Sequence, residues 1–204
     1  MKLLKQFGVV PVTSSVLTAI LSEYRIAALE KAGDLVRLKR GLFVVSSQAS
    51  QQAISRELIA NHLLGPSYVS LESALSFYGL IPERVYAVRS ATLKRAKSFS
   101  TPLGIFDYVT VLEKYFPIGI RQEIVENQYA FLIAEPAKAV CDMIVATPYL
   151  RLQSVRAMQD YLTEDLRIDF DMAKSLDKTI VNQCIEAGKK KTELKWLLKF
   201  LESF

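Results

Sequence analysis

Catalysis needs side chains that converge, and this chain of 204 residues is sparing with the types that do most of it. His62 is the only histidine and sits in the apolar segment LIANHLLG, which reads as a structural imidazole. A histidine-rich zinc site or metalloprotease helix is therefore excluded. A Ser-His-Asp or Cys-His arrangement would have to use His62, and neither Cys141 nor any serine has a nucleophile-elbow context. The eight glycines form no phosphate loop of the P-loop or dinucleotide type. Asp169 and Asp171 in RIDFD alternate as strand-borne metal ligands do, but no Gly-Ser phosphate loop precedes them, so they read as loop or helix-cap acids. Glu193 and Lys195 in TELK have the spacing of a restriction-type nuclease motif, which needs a strand, whereas TELKWLLKFLES has helical period. The expectation is a protein that is not an enzyme, with no catalytic residue, no metal ligand and no cofactor.

What the sequence does offer is positive charge. It holds 26 Lys and Arg against 21 Asp and Glu, a formal net charge of +5. Residues 1–48 carry seven cations against three acids, residues 49–150 nine against nine, and residues 151–204 ten against nine. A basic module on a neutral body suits a polyanion, because phosphate contacts dominate nucleic-acid affinity. The stretch AGDLVRLKRGLFVV sets two apolar runs around a Lys39-Arg40-Gly41 tip, with Arg37 just before it. A second cluster, Arg89, Lys94, Arg95 and Lys97, lies between strand-like segments and is a possible secondary nucleic-acid or partner contact, with a solvated loop as the plain reading. Lys189, Lys190 and Lys191 precede the last helix, where the helix dipole disfavours cations and an external anion would be welcome; solvation alone also suffices.

The elements that must position these cations begin with VTSSVLTAIL, a helix capped by Thr13 or Ser14, and SEYRIAALEKAG, a helix capped by Ser22 and closed at Gly33. So short a connection forces a steep crossing, and a hairpin follows directly, the order of a winged helix-turn-helix. In that arrangement Ser22, Tyr24, Arg25 and Lys31 face the major groove, and Arg37, Lys39 and Arg40 lie near phosphates. Glu23, Glu30 and Asp34 oppose this reading, as does the absence of glycine in the turn.

SSQASQQA, residues 46–53, reads as a polar hinge. Beyond it, ISRELIANHLLGPSYVSLESALSFYGL reads as two helices, the second capped by Ser70 and closed at Gly79 in a Schellman motif with Leu75 meeting Leu80. Tyr68, Leu71, Leu75 and Tyr78 are placed on one helical face as core, and Asp142 as a partly buried carboxylate bonded to nearby backbone. Short β-rich runs follow Pro82, with a hairpin turning at residues 126–128; a helix starts at Pro136, and three further helical segments run to Phe204. Cys141 and Cys184 read as buried free thiols, and no apolar run reaches the roughly 18 residues of a membrane span, so a cytoplasmic protein is expected.

Three stretches, LVRLKRGLFVV, GPSYVSLESALSFYGL and IAEPAKAVCDMI, together resemble the AbiEi-type antitoxins of bacterial abortive-infection toxin-antitoxin systems, in the same order and spacing. The most specific part is Pro66 to Ser70 with Ser73-Ala74-Leu75 and Gly79-Leu80; Ala137 and Tyr78 stand where the family pattern has an acid and a histidine. The resemblance implies an α+β protein: a winged helix-turn-helix DNA-binding domain at residues 1–47, then an α+β antitoxin domain at residues 48–204. That second domain has a mixed part at 54–150 and C-terminal helices at 151–204. It further implies a repressor of its own operon that binds double-stranded promoter DNA and counteracts a nucleotidyltransferase-type toxin, with or without a stable complex. The alternatives are a solitary winged-helix regulator and an interaction module that has lost DNA binding.

Overall fold

The computed structural model describes residues 4 and 6–204, which build a mixed α+β protein with two sheets. The first 50 residues supply β1 (Val12–Thr13), α1 (Ser14–Thr18), α2 (Glu23–Lys31), β2 (Leu35–Lys39), β3 (Leu42–Val45) and the short α3 (Ser47–Ser50). The strands form an antiparallel sheet in the order β1-β3-β2. Local chemistry explains the boundaries. The Ser22 hydroxyl accepts the Arg25 amide at the start of α2. At its end Gly33, at φ +79°, allows Gly33 N–H to reach Glu30 and Asp34 N–H to reach Leu29, the paired bonds of a Schellman motif.

The rest of the described chain comprises α4 (Arg56–Leu63), β4 (Ser67–Val69), α5 (Leu71–Phe77), β5 (Val88–Thr92), β6 (Lys97–Thr101), β7 (Gly104–Thr110), β8 (Ile120–Val125), β9 (Tyr129–Ala134) and α6 (Pro136–Ala146). Then come α7 (Val155–Asp160), which runs into a π-helical turn at Tyr161–Asp165, α8 (Phe170–Lys174), α9 (Lys178–Ala187) and α10 (Lys191–Glu202). The six strands form one sheet in the order β6-β7-β5-β4-β9-β8. Asn61 of α4 completes it where β4 and β9 meet at a single residue pair: its amide accepts from Leu132 N–H and donates to Leu132 C=O, as a neighbouring strand would. Among the described residues, no helix is long and apolar enough to cross a membrane.

Several expectations about elements hold. The α5 end carries the Schellman bonds, with Leu80 N–H on Leu75 C=O and both side chains buried. Pro136 opens α6, and the β8–β9 hairpin turns through Glu126 and Asn127, both at positive φ as a primed turn requires. Others are corrected. Residues 47–50 are a helical turn capped by Ser46, whose hydroxyl accepts the Ala49 amide while the Ala49 side chain packs into the smaller apolar core. Tyr68 lies on β4 rather than on a helix, since the bonds of Ser67 to Val69 go to β5. Ser70 occupies the position before α5, but its hydroxyl makes no cap; it donates to Asp142 at 2.6 Å. Asp142 is fully rather than partly buried, and its partners are side chains. The segment after residue 150 holds more helical pieces than the three expected.

Candidate nucleic-acid interface

The helix α2 buries Ile26 and Leu29 and turns Tyr24, Ala27, Ala28 and Lys31 outward at helical spacing. Tyr24 is 85 % exposed. Two alanines between a tyrosine and a lysine leave a helix face thin enough for its backbone to approach a partner closely. Ser22 and Arg25 are exposed at its first turn, and Ser22 retains its hydroxyl hydrogen while capping.

The hairpin cations divide by role, which the sequence does not disclose. Arg37 is bound to Glu30 of α2 by two bonds at 2.7 and 2.6 Å and lies over the Phe43 ring, so it clamps the hairpin to the helix. That bond raises the Arg37 pKa and lowers that of Glu30. Lys39 reaches the other way: its ammonium donates to the Leu63 carbonyl at 2.5 Å, at the C-terminus of α4, where the helix dipole favours a cation. Arg40 alone of the three is exposed with no hydrogen bond or ion pair among the described residues.

The second cluster also divides. Arg89 is tied to both Glu72 oxygens, at 2.6 and 2.7 Å, beside a cleft of about 500 Å³ floored by Leu75, Ile81 and Met143. It therefore leaves the basic group that sequence proximity suggested. Lys94, Arg95 and Lys97 are exposed, and their side chains form no ion pair among the described residues. Lys97 and Lys39 both lie over the Phe99 ring, at 4.7 and 5.8 Å from its centroid. Burial pushes the Lys39 pKa down, and the fields of Lys94 and Lys97 lower it further. The tip of the hairpin and the start of β6 are thus one basic surface, with Phe99 as its platform. Phe99 was missed in the sequence; the alternation in KSFST was the available signal.

Lys190 and Lys191 each donate a hydrogen bond to a backbone carbonyl of the fold, of Thr147 and Glu186 respectively. Asp169 caps α8 by accepting from Asp171 and Met172 amides, and Asp171 pairs with Lys174; the two do not form a metal-binding pair. Among the described residues no group of three or more metal-ligating side chains converges.

The densest polar cluster is sealed. Lys138 and Asp142, at 0 and 1 % exposure, face each other across 3.3 Å on successive turns of α6. The Lys138 ammonium also donates to the Tyr115 carbonyl at 3.0 Å and lies 3.1 Å from the Tyr115 ring centroid. Burial drives the phenols of Tyr68 and Tyr115 well above their usual range. Cys141 and Cys184 adjoin this cluster and each other: contact with Cys184, then burial, raises the Cys141 pKa, while that contact and the Lys138 charge lower that of Cys184.

No family model matches the chain, and no curated protein matches it.

Proposed function

We propose that the protein is a DNA-binding repressor of its own operon whose first unit is a winged helix-turn-helix and whose remainder acts as the antitoxin against a nucleotidyltransferase-type toxin. The observations that carry the DNA-binding part are the open face of α2 and the exposed cations Arg40, Lys94, Arg95 and Lys97, whose side chains form no ion pair among the described residues. The order β1-α1-α2-β2-β3, with two helices joined by a short turn and an antiparallel hairpin directly after them, supports the winged helix-turn-helix reading. In this reading Tyr24, Arg25 and Lys31 meet base edges, and the Arg40–Lys97 surface meets phosphates. Arg37 and Lys39 position the hairpin and add to the field. The antitoxin role rests on the resemblance of the three sequence stretches given above, and the cytoplasmic setting on the two buried free thiols, as a reducing compartment would keep them.

The test is a titration of promoter DNA at several salt concentrations. Replacing Arg40 and Lys97 by alanine should weaken cognate and random DNA alike and make log K against log salt shallower by about two units. Replacing Arg25 should cost roughly 1–3 kcal/mol on the cognate site alone. Co-expression with a nucleotidyltransferase-type toxin tests the second half: rescue of growth supports it, and unrelieved toxicity removes it. A protein-interaction module is the second reading, favoured by the acids on α2, Glu23 and the Arg37-bound Glu30; unchanged affinity and slope in the double variant would select it.

A further inference from the structure

The two ends of the six-stranded sheet are treated differently. At one end β6 carries Lys97 and has the β2–β3 hairpin lying against it through Phe99 and Lys39. At the other, β8 is the terminal strand, bonded to β9 on one side. Free edges invite further strands, and proteins guard them with charges that repel a copy of themselves. The charges on β8 do the opposite. Its sequence, Ile120-Arg121-Gln122-Glu123-Ile124-Val125, is chemically self-complementary about Gln122.

We propose that β8 is a homodimerisation edge, taking the β8 strand of a second copy in antiparallel register across a two-fold axis at Gln122. In that register Arg121 faces Glu123 of the other copy, and Glu123 faces its Arg121. Residues opposite one another in an antiparallel pair share a face, so both charge contacts fall on one side of the extended sheet. On the other side Ile124, 60 % exposed in the single chain, meets Ile120 of the second copy, giving an apolar contact at each end of the pairing. Leu132, 38 % exposed on the adjoining strand, borders that contact. Arg121 is already extended for the role: it stacks over Tyr78, 5.2 Å from the ring centroid, and is bonded to its own Glu123, so pairing turns one bond into a four-membered alternating network. The interface is isologous, as a two-fold dimer demands. It is independent of the nucleic-acid reading.

One strand pair buries less than the roughly 800 Å² per partner of a stable complex, so the full chain is to be studied by sedimentation up to about 0.5 mM. The expected result is a concentration-dependent doubling of mass. Arg121→Glu and Glu123→Arg, each alone, place like charges opposite one another twice and should weaken dimerisation about tenfold or more. Mixing the two variants restores both opposite-charge contacts and should recover a heterodimer of parental affinity. Monomer throughout the range overturns the proposal, as does a dimer indifferent to either reversal. Loss in both variants without recovery on mixing overturns it as well, and circular dichroism of each variant separates that result from misfolding.

Discussion

Removing the Lys138 ammonium tests what holds α6 in the core. In Lys138→Met the chain keeps a side chain of similar length, yet Asp142 stays behind at 1 % exposure with neutral neighbours only, the Ser70 hydroxyl 2.6 Å away and the Tyr68 phenol. At 3.3 Å and an effective dielectric of about 20, the pair attracts by about 5 kcal/mol, against which stands a desolvation cost of several kcal/mol for each ion. The intact pair therefore contributes little net, whereas breaking it leaves the desolvation of Asp142 unopposed. Lys138→Met should cost about 3–5 kcal/mol, a large share of the roughly 5–15 kcal/mol of a typical domain. Lys138→Met combined with Asp142→Leu should recover at least half of that loss, since no buried charge remains. Urea unfolding followed by circular dichroism measures all three, with equal slopes required before midpoints are compared. A single variant within about 1 kcal/mol of the parent would refute the reasoning, because Asp142 would then have a partner or solvent that the structure does not give it.

Lys39 predicts a pH effect on polyanion binding. Its pKa is lowered by burial and then by Lys94 and Lys97, so its charge is lost on raising the pH sooner than that of an ordinary lysine near 10.4. Affinity for duplex DNA should fall over that alkaline range, and Lys39→Arg, charged throughout, should flatten the fall; parallel curves would contradict the placement. Cys141 and Cys184, both fully buried, should label slowly with a thiol reagent in the native protein and rapidly in urea, with fast native labelling as the contrary result. Asn61→Ala removes both bonds to the Leu132 backbone and should destabilise by about 1–3 kcal/mol in the same urea assay, while an unchanged midpoint would show that water replaces the amide.

Features set by a few consecutive residues were legible in the sequence. Gly33 and Gly79 mark helix ends because the left-handed cap they adopt depends only on the preceding turn. Pro136 marks a helix start because its missing N–H costs nothing there, and residues 126–128 mark a hairpin between two β-rich runs. The list of cations comes from composition. Partnership was not legible, because it depends on which distant groups the fold brings together. Arg37, Lys39 and Arg40 are neighbours in the chain, yet one clamps α2, one caps α4 and one faces solvent, according to which acid or carbonyl lies within reach. Arg89 parts from Lys94 and Lys97 for the same reason, having Glu72 beside it. Ser70 gives up a local cap for a carboxylate 72 positions away, since a buried charge bonds a hydroxyl more strongly than a helix end that has other means of satisfaction. Residues 47–50 fold into a helix despite their polar composition, because Ala49 fills the small core. Sequence determined the local geometry and the inventory of charge; tertiary packing decided which charges are bound within the fold and which stay exposed.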